Sequence, residues 1–122
     1  SVGSGGTLAV AEFASHLHRA ATRQHASTMT PLEFAQSPAP TVDTLVVIYS
    51  ARAKHPDTAF ATQHALAQGL EVMLITERRT EELAPAFSHA RVHVTTVDSG
   101  ASPDGFLATG SIVRMAVAVA RI

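Results

Sequence analysis

Apolar residues recur at Val10, Phe13, Ala14, Leu17 and Ala21, three and four positions apart, while Glu12, His16, Arg19 and Arg23 share the opposite side. That spacing predicts an amphipathic helix over 7–23, with the Thr7 hydroxyl placed to cap its N-terminus. The pattern then changes. TLVVIYS (44–50) and EVMLIT (71–76) are continuous apolar runs rich in β-branched residues, as expected of strands buried on both faces. Between them Pro56 suits a first helical position and Asp57 a first turn. Gly69 then stops the helix near residue 68. A short helix is expected over about 81–86, a more alternating strand over 91–97, and a final helix over about 106–120. The last is apolar nearly all round and is expected to be largely buried. In STMTPLEFAQSPAP the prolines at 31, 38 and 40 argue against helix and predict a short strand plus loop.

Ser1-Val2 reads as the end of one more strand. The order is then strand, helix, strand, strand, helix, strand, helix, strand, helix. Such alternation predicts an α/β three-layer sandwich with an open, mostly parallel, five-stranded sheet of flavodoxin-like type. A length of 122 residues fits one domain over 1–122 with a real though modest core. A chain that opens at a strand end and closes at a helix is expected to be a fragment, or one half, of a larger protein.

Composition narrows the chemistry. Hydrophobic residues make up 46% and charged residues 16%, which excludes a disordered chain. The formal net charge of −1 offers no basic surplus for nucleic acid, so an anion site must be local. With no cysteine there are no disulfides, thiolate nucleophiles or cysteine zinc sites, which fits a cytoplasmic protein. The C-terminal run SIVRMAVAVARI carries two arginines and is too short to span a membrane. No signal peptide is evident. The seven histidines show no H-E-x-x-H or similar spacing; His16 and His18, two apart on a helix, face different ways. No metal and no cofactor are expected.

Two loops could hold an anion. In Gly3-Ser4-Gly5-Gly6-Thr7 a glycine turn leads from a strand into a helix N-terminus, where backbone N–H groups favour negative charge. The dinucleotide fingerprint would need glycine at position 8, which is Leu8, and the P-loop lysine is absent. Glu33, past a proline, is the only acid near the end of the second strand region, so a nucleotide-binding reading has little support. In Tyr49–Thr58 (YSARAKHPDT), Ser50 and Thr58 offer hydroxyls and Arg52, Lys54 and His55 offer cations, again at a helix start. A third stretch, DGFLATGS, adds Thr109 and Ser111. No nucleophile–base pair is evident, and Ser50 near His55 is suggestive only in sequence.

Together these stretches resemble the sugar isomerase (SIS) domain, a phosphosugar-binding α/β module. Its G-x-G-x-S turn is matched by Gly3, Gly5 and Thr7, and its S-x-S-G-x-T loop by the segment 50–55 with Asp57 and Thr58 after it. Its strand ending in I-T is matched by EVMLIT, and its late S-T element by Ala108-Thr109. The resemblance spans residues 1 to about 120 and lacks the family's N-terminal helix and the start of its first strand. It implies a sugar-phosphate ligand held by Gly3, Ser4, Gly5, Gly6, Thr7, Ser50, Ala51, Arg52, Lys54, His55, Thr58, Thr109 and Ser111. It further implies a homodimer or tandem SIS partner, and aldose–ketose isomerisation in catalytic members or sugar sensing in regulatory ones. His55 and Asp104 are candidates for the proton-moving group by position alone. The departures are specific. Arg52 stands for the second serine of the loop, Ala53 for its glycine and His55 for its threonine. Hydroxyl donors have become cations, which implies either an anion site of different chemistry or a lost phosphate site in a non-catalytic regulatory, sensor or scaffold module, and Ala53 restricts any φ > 0 conformation there.

Overall fold

In the computed structural model of the chain, residues 1–40 and 42–97 are described, with Ala116, Val117 and Ala120 as further helical positions. The apolar runs form the strands. Leu45–Tyr49 is β1, Glu71–Thr76 is β2 and Val92–Thr96 is β3; they pair in parallel in the order β1-β2-β3. The register sets Leu45 beside Glu71 and Val72 beside Val92. The sheet has three strands among the described residues, not five. The other two expected strands shrink to single parallel bridges, Val2 to Ile48 and Val2 to Met29. Four hydrogen bonds hold them: Val2 N–H to the Val47 carbonyl, Tyr49 N–H to Val2, Gly3 N–H to Met29 and Met29 N–H to Ser1.

Counting these bridges as positions, the order across the sheet is Met29, Val2, β1, β2, β3. Chain order therefore reverses between Val2 and β1, which makes that gap the switch point of a doubly wound sheet. The side chains agree. Val46, Ile48, Val72 and Leu74 pack with Ala61 and Ala65 of α3 (Pro56–Ala67) on one face. On the other face Tyr49 and Ile75 pack with Val10, Ala11 and Ala14 of α1 (Gly6–Thr22). Covering both faces is why β1 and β2 are apolar without alternation.

Three expectations change. The buried side of α1 is Val10, Ala11, Ala14 and Ser15, while Phe13 is 40% exposed. The polar Ser15 is tolerated because its hydroxyl accepts from the Thr28 hydroxyl at 2.9 Å and reaches the Ser27 carbonyl at 3.3 Å. The segment expected as strand and loop contains α2, Pro31–Gln36. Pro31 occupies the first helical position, where its missing N–H costs nothing. Thr30 and Glu33 form a reciprocal capping box, with Thr30 N–H to the Glu33 carboxylate at 2.7 Å. The helix expected near 81–86 is two 3₁₀ turns, Thr80–Glu82 and Pro85–Phe87, because Pro85 interrupts any longer ladder. Of the final helix, Ala116 is half-buried whereas Val117 and Ala120 are exposed; the rest lies outside the described residues. Among the described residues no helix is long and apolar enough to cross a membrane.

Candidate functional site

Both anion-loop candidates leave the carboxyl ends of neighbouring strand positions on either side of the switch point. One runs to α1 on one face of the sheet and the other to α3 on the opposite face. This is where open α/β sheets bind ligands.

The first loop is built by close approach. A side chain at Gly3 would put its Cβ 2.6 Å from the Thr7 carbonyl oxygen and 2.9 Å from Leu8 N, so only glycine fits. Gly5 has φ 56° and ψ −131°, a conformation essentially closed to other residues. Thr7 is not the N-cap. It lies inside the helix, and its hydroxyl donates to the Ser4 carbonyl at 2.8 Å while accepting Ser4 N–H at 3.1 Å. That clamp leaves Gly5 as N-cap with no side-chain bond. Among the described residues the Gly5 and Gly6 N–H groups have no acceptor, as the first donors of a helix do not, and both residues are exposed.

The second loop is sewn to β2. Ser50 N–H bonds the Ile75 carbonyl, Glu77 N–H bonds Ala51, and the Thr76 hydroxyl donates to the Ala51 carbonyl, each at 3.0 Å. Ala53 takes φ 50°. The alanine in the family's glycine position thus adopts the left-handed conformation despite its Cβ, at a cost of about 1–2 kcal/mol. The Ser50 oxygen accepts Ala53 N–H at 3.2 Å and lies 3.1 Å from the Thr58 hydroxyl. Thr58 is buried, so it shapes the loop from beneath. His55 is the N-cap of α3, its Nδ1 accepting Asp57 N–H at 3.2 Å. The same Nδ1 lies 3.4 Å from the Asp57 carboxylate. The two contacts need opposite protonation of Nδ1, and the capping bond, shorter and to a fixed N–H, is the one that neutral imidazole makes. Arg52 and Lys54 are exposed, with no ion-pair partner among the described residues.

Sequence reasoning missed Arg78 and Arg79, which follow β2 at the same edge. Arg78 pairs with Glu82 at 3.4 Å; Arg79 has no such partner among the described residues. Two arginines directly after a buried strand were the available signal. Acids stand among these cations, Asp57, Glu77, Glu81 and Glu82, so the edge offers discrete donors rather than a net positive field. Asp104, Thr109 and Ser111 lie outside the described residues. Two cavities, of about 420 and 310 Å³, open instead at the amino ends of the strands, lined by Thr44, Gly69 and Glu71 and by Ser27, Met29 and Phe34 respectively. The loops at the carboxyl edge make an open surface, and their N–H and cationic donors are the argument for a site there. No grouping of metal ligands occurs among the described residues.

No protein-family model and no curated protein matches the sequence. Solved structures do match. The C-terminal domain of glucosamine-fructose-6-phosphate aminotransferase from Francisella tularensis superposes with a TM-score of 0.81 at 18% identity, over 98% of this chain and 32% of that one. Tagatose-6-phosphate ketose/aldose isomerase from Escherichia coli gives 0.80 at 17%, over 97% and 35%. A candidate phosphosugar isomerase from Silicibacter pomeroyi gives 0.74 at 21%, over 97% and 35%. This chain carries the SIS fold. It spans about a third of the length of these structures. In this chain the glycine turn follows the Val2 bridge and the 50–55 loop follows β1.

Proposed function

We propose that this chain is the phosphosugar-binding part of an SIS-type protein, with the phosphate seated between Gly3–Thr7 and Ser50–Thr58. The observation that carries the reading is the meeting of these two loops at the switch point, each opening into a helix N-terminus. The sugar-phosphate enzymes named among its structural neighbours support the same ligand class. Gly5 and Gly6 supply N–H donors, Ser50 a hydroxyl, and Arg52 and Lys54 positive charge. Thr7 acts indirectly, by clamping the glycine turn. Aldose–ketose isomerisation is the reaction this ligand suggests. His55 is its proton-moving candidate within the loop by position; with Nδ1 accepting Asp57 N–H, the neutral ring carries its proton on Nε2 and presents a donor there.

A second reading has its own support. Arg52, Ala53 and His55 replace the family's loop residues, and the edge between the loops is not enclosed; both favour a sugar-phosphate sensor without turnover. One experiment addresses the ligand first. Hexose 6-phosphates are expected to raise the melting temperature, as any native-state ligand must, and the matching free hexoses are not. Arg52→Ala is expected to halve the shift or more. Equal shifts from phosphorylated and free sugars would refute the phosphate reading. Interconversion of aldose and ketose phosphates by the protein would decide against the sensor.

A further inference from the structure

A hydroxyl has two acceptor positions and one hydrogen. The Ser50 oxygen accepts Ala53 N–H at 3.2 Å, and the Thr58 hydroxyl lies 3.1 Å from it, a contact to which either hydroxyl can supply the hydrogen. Among the described residues neither hydrogen has another acceptor. Thr58 is buried in the first turn of α3, where no ligand reaches it. We infer that Thr58 gives its hydrogen to Ser50 and is thereby a positioning residue which turns the Ser50 hydroxyl into a donor-only group, so that the site takes an unprotonated anionic oxygen and discriminates against a sugar hydroxyl at that point.

The inference rests on the phosphosugar reading above and deepens it. An ordinary serine can rotate to accept from a hydroxyl or donate to a phosphate, and so tolerates both. A serine whose lone pairs are occupied can only donate. Opposite a ligand hydroxyl it can make only a neutral bond, as donor, leaving that group's own hydrogen to the solvent at the open edge. Opposite a phosphate oxygen it makes a charge-assisted bond, shorter and stronger than a neutral one. Ala53 contributes through its backbone: its left-handed conformation (φ 50°) accompanies the return of its N–H to Ser50. Arg52 and Lys54, the exposed neighbours of this turn, suit the same acceptor-only ligand group. Selection at Ser50 thus follows from a side chain that need not touch the ligand.

The test is calorimetric titration of the native chain, Thr58→Val and Thr58→Ser with inorganic phosphate, with thermal unfolding recorded for each. Phosphate is expected to bind about five- to tenfold more weakly to Thr58→Val, and Thr58→Ser, which restores the hydroxyl, is expected to recover native affinity. If Thr58→Val fails to fold, Thr58→Ser and Ser50→Ala carry the comparison: native affinity in the first and a loss of at least fivefold in the second. Unchanged or tighter binding by a folded Thr58→Val would mean that Ser50 spends its hydrogen on Thr58, and would overturn the inference while leaving the phosphosugar reading standing. No phosphate binding by the native chain would overturn both.

Discussion

At the scale of single residues, competing terms meet at Ala53. The left-handed backbone costs about 1–2 kcal/mol in a residue with a Cβ. Its methyl is buried in the core beside Ala61 and Leu74, and a buried methyl returns about 0.8 kcal/mol. Glycine would relieve the strain but lose the methyl and add freedom to the unfolded chain. Ala53→Gly is therefore expected to change the unfolding free energy by less than about 1 kcal/mol, whereas Ala53→Val, β-branched at positive φ, should cost more than about 2 kcal/mol. Urea denaturation of both variants checks this; a valine variant as stable as the native chain would mean that the turn is not left-handed. Tyr49 offers a pH test. Burial pushes its phenol up to about 12, against a smaller opposing effect of a hydrogen bond with Ser1. A raised acid keeps its proton in the native state while the unfolded chain releases it near pH 10. Stability is thus fully present below pH 10 and falls between about pH 10 and 12. Tyr49→Phe should remove that part of the alkaline loss; a native-like alkaline limb in the variant would count against it.

Among the elements, α2 is the one whose stability is most local. Its six residues are too few to hold a helix unaided. The Thr30–Glu33 capping box and packing against α3 must keep it. Thr30→Ala should cost about 1 kcal/mol and expose α2 amides first in hydrogen exchange, leaving β1 and β2 protected. Equal loss of protection in the strands would mean that α2 and the sheet unfold as one unit. The same element marks where the sequence was hard to read. T-P-L-E carries a helix-start signal that the prolines at 31, 38 and 40 obscure, although Pro31 sits where proline is welcome. The strands β1 and β2 were legible because burial on both faces leaves an unbroken apolar run. The strand positions at Val2 and Met29 were legible as extended chain, and each is a single bridge in the sheet. Of the site, the glycine turn and the Ser50 loop could be seen in the pattern of small residues. The inward commitment of Thr7 and Thr58 could not, because whether a hydroxyl faces a ligand or its own backbone depends on tertiary packing.

For the whole molecule, the order Met29, Val2, β1, β2, β3 places the two loops side by side and sends their helices to opposite faces. The proposed site and the core are thereby separated. The core lies along the strands, and the donors sit beyond their carboxyl ends, where side chains can vary without disturbing the sheet. The cavities at the amino edge are the competing location for a ligand. The measurement that decides most directly is the map of backbone amide shifts on titrating a hexose 6-phosphate into the isotope-labelled chain. The account predicts that the largest changes fall on Gly5, Gly6, Ala51–His55 and Asp57. Changes concentrated instead on Asp43, Thr44, Gly69 and Glu71, or no saturable change at all, would contradict it.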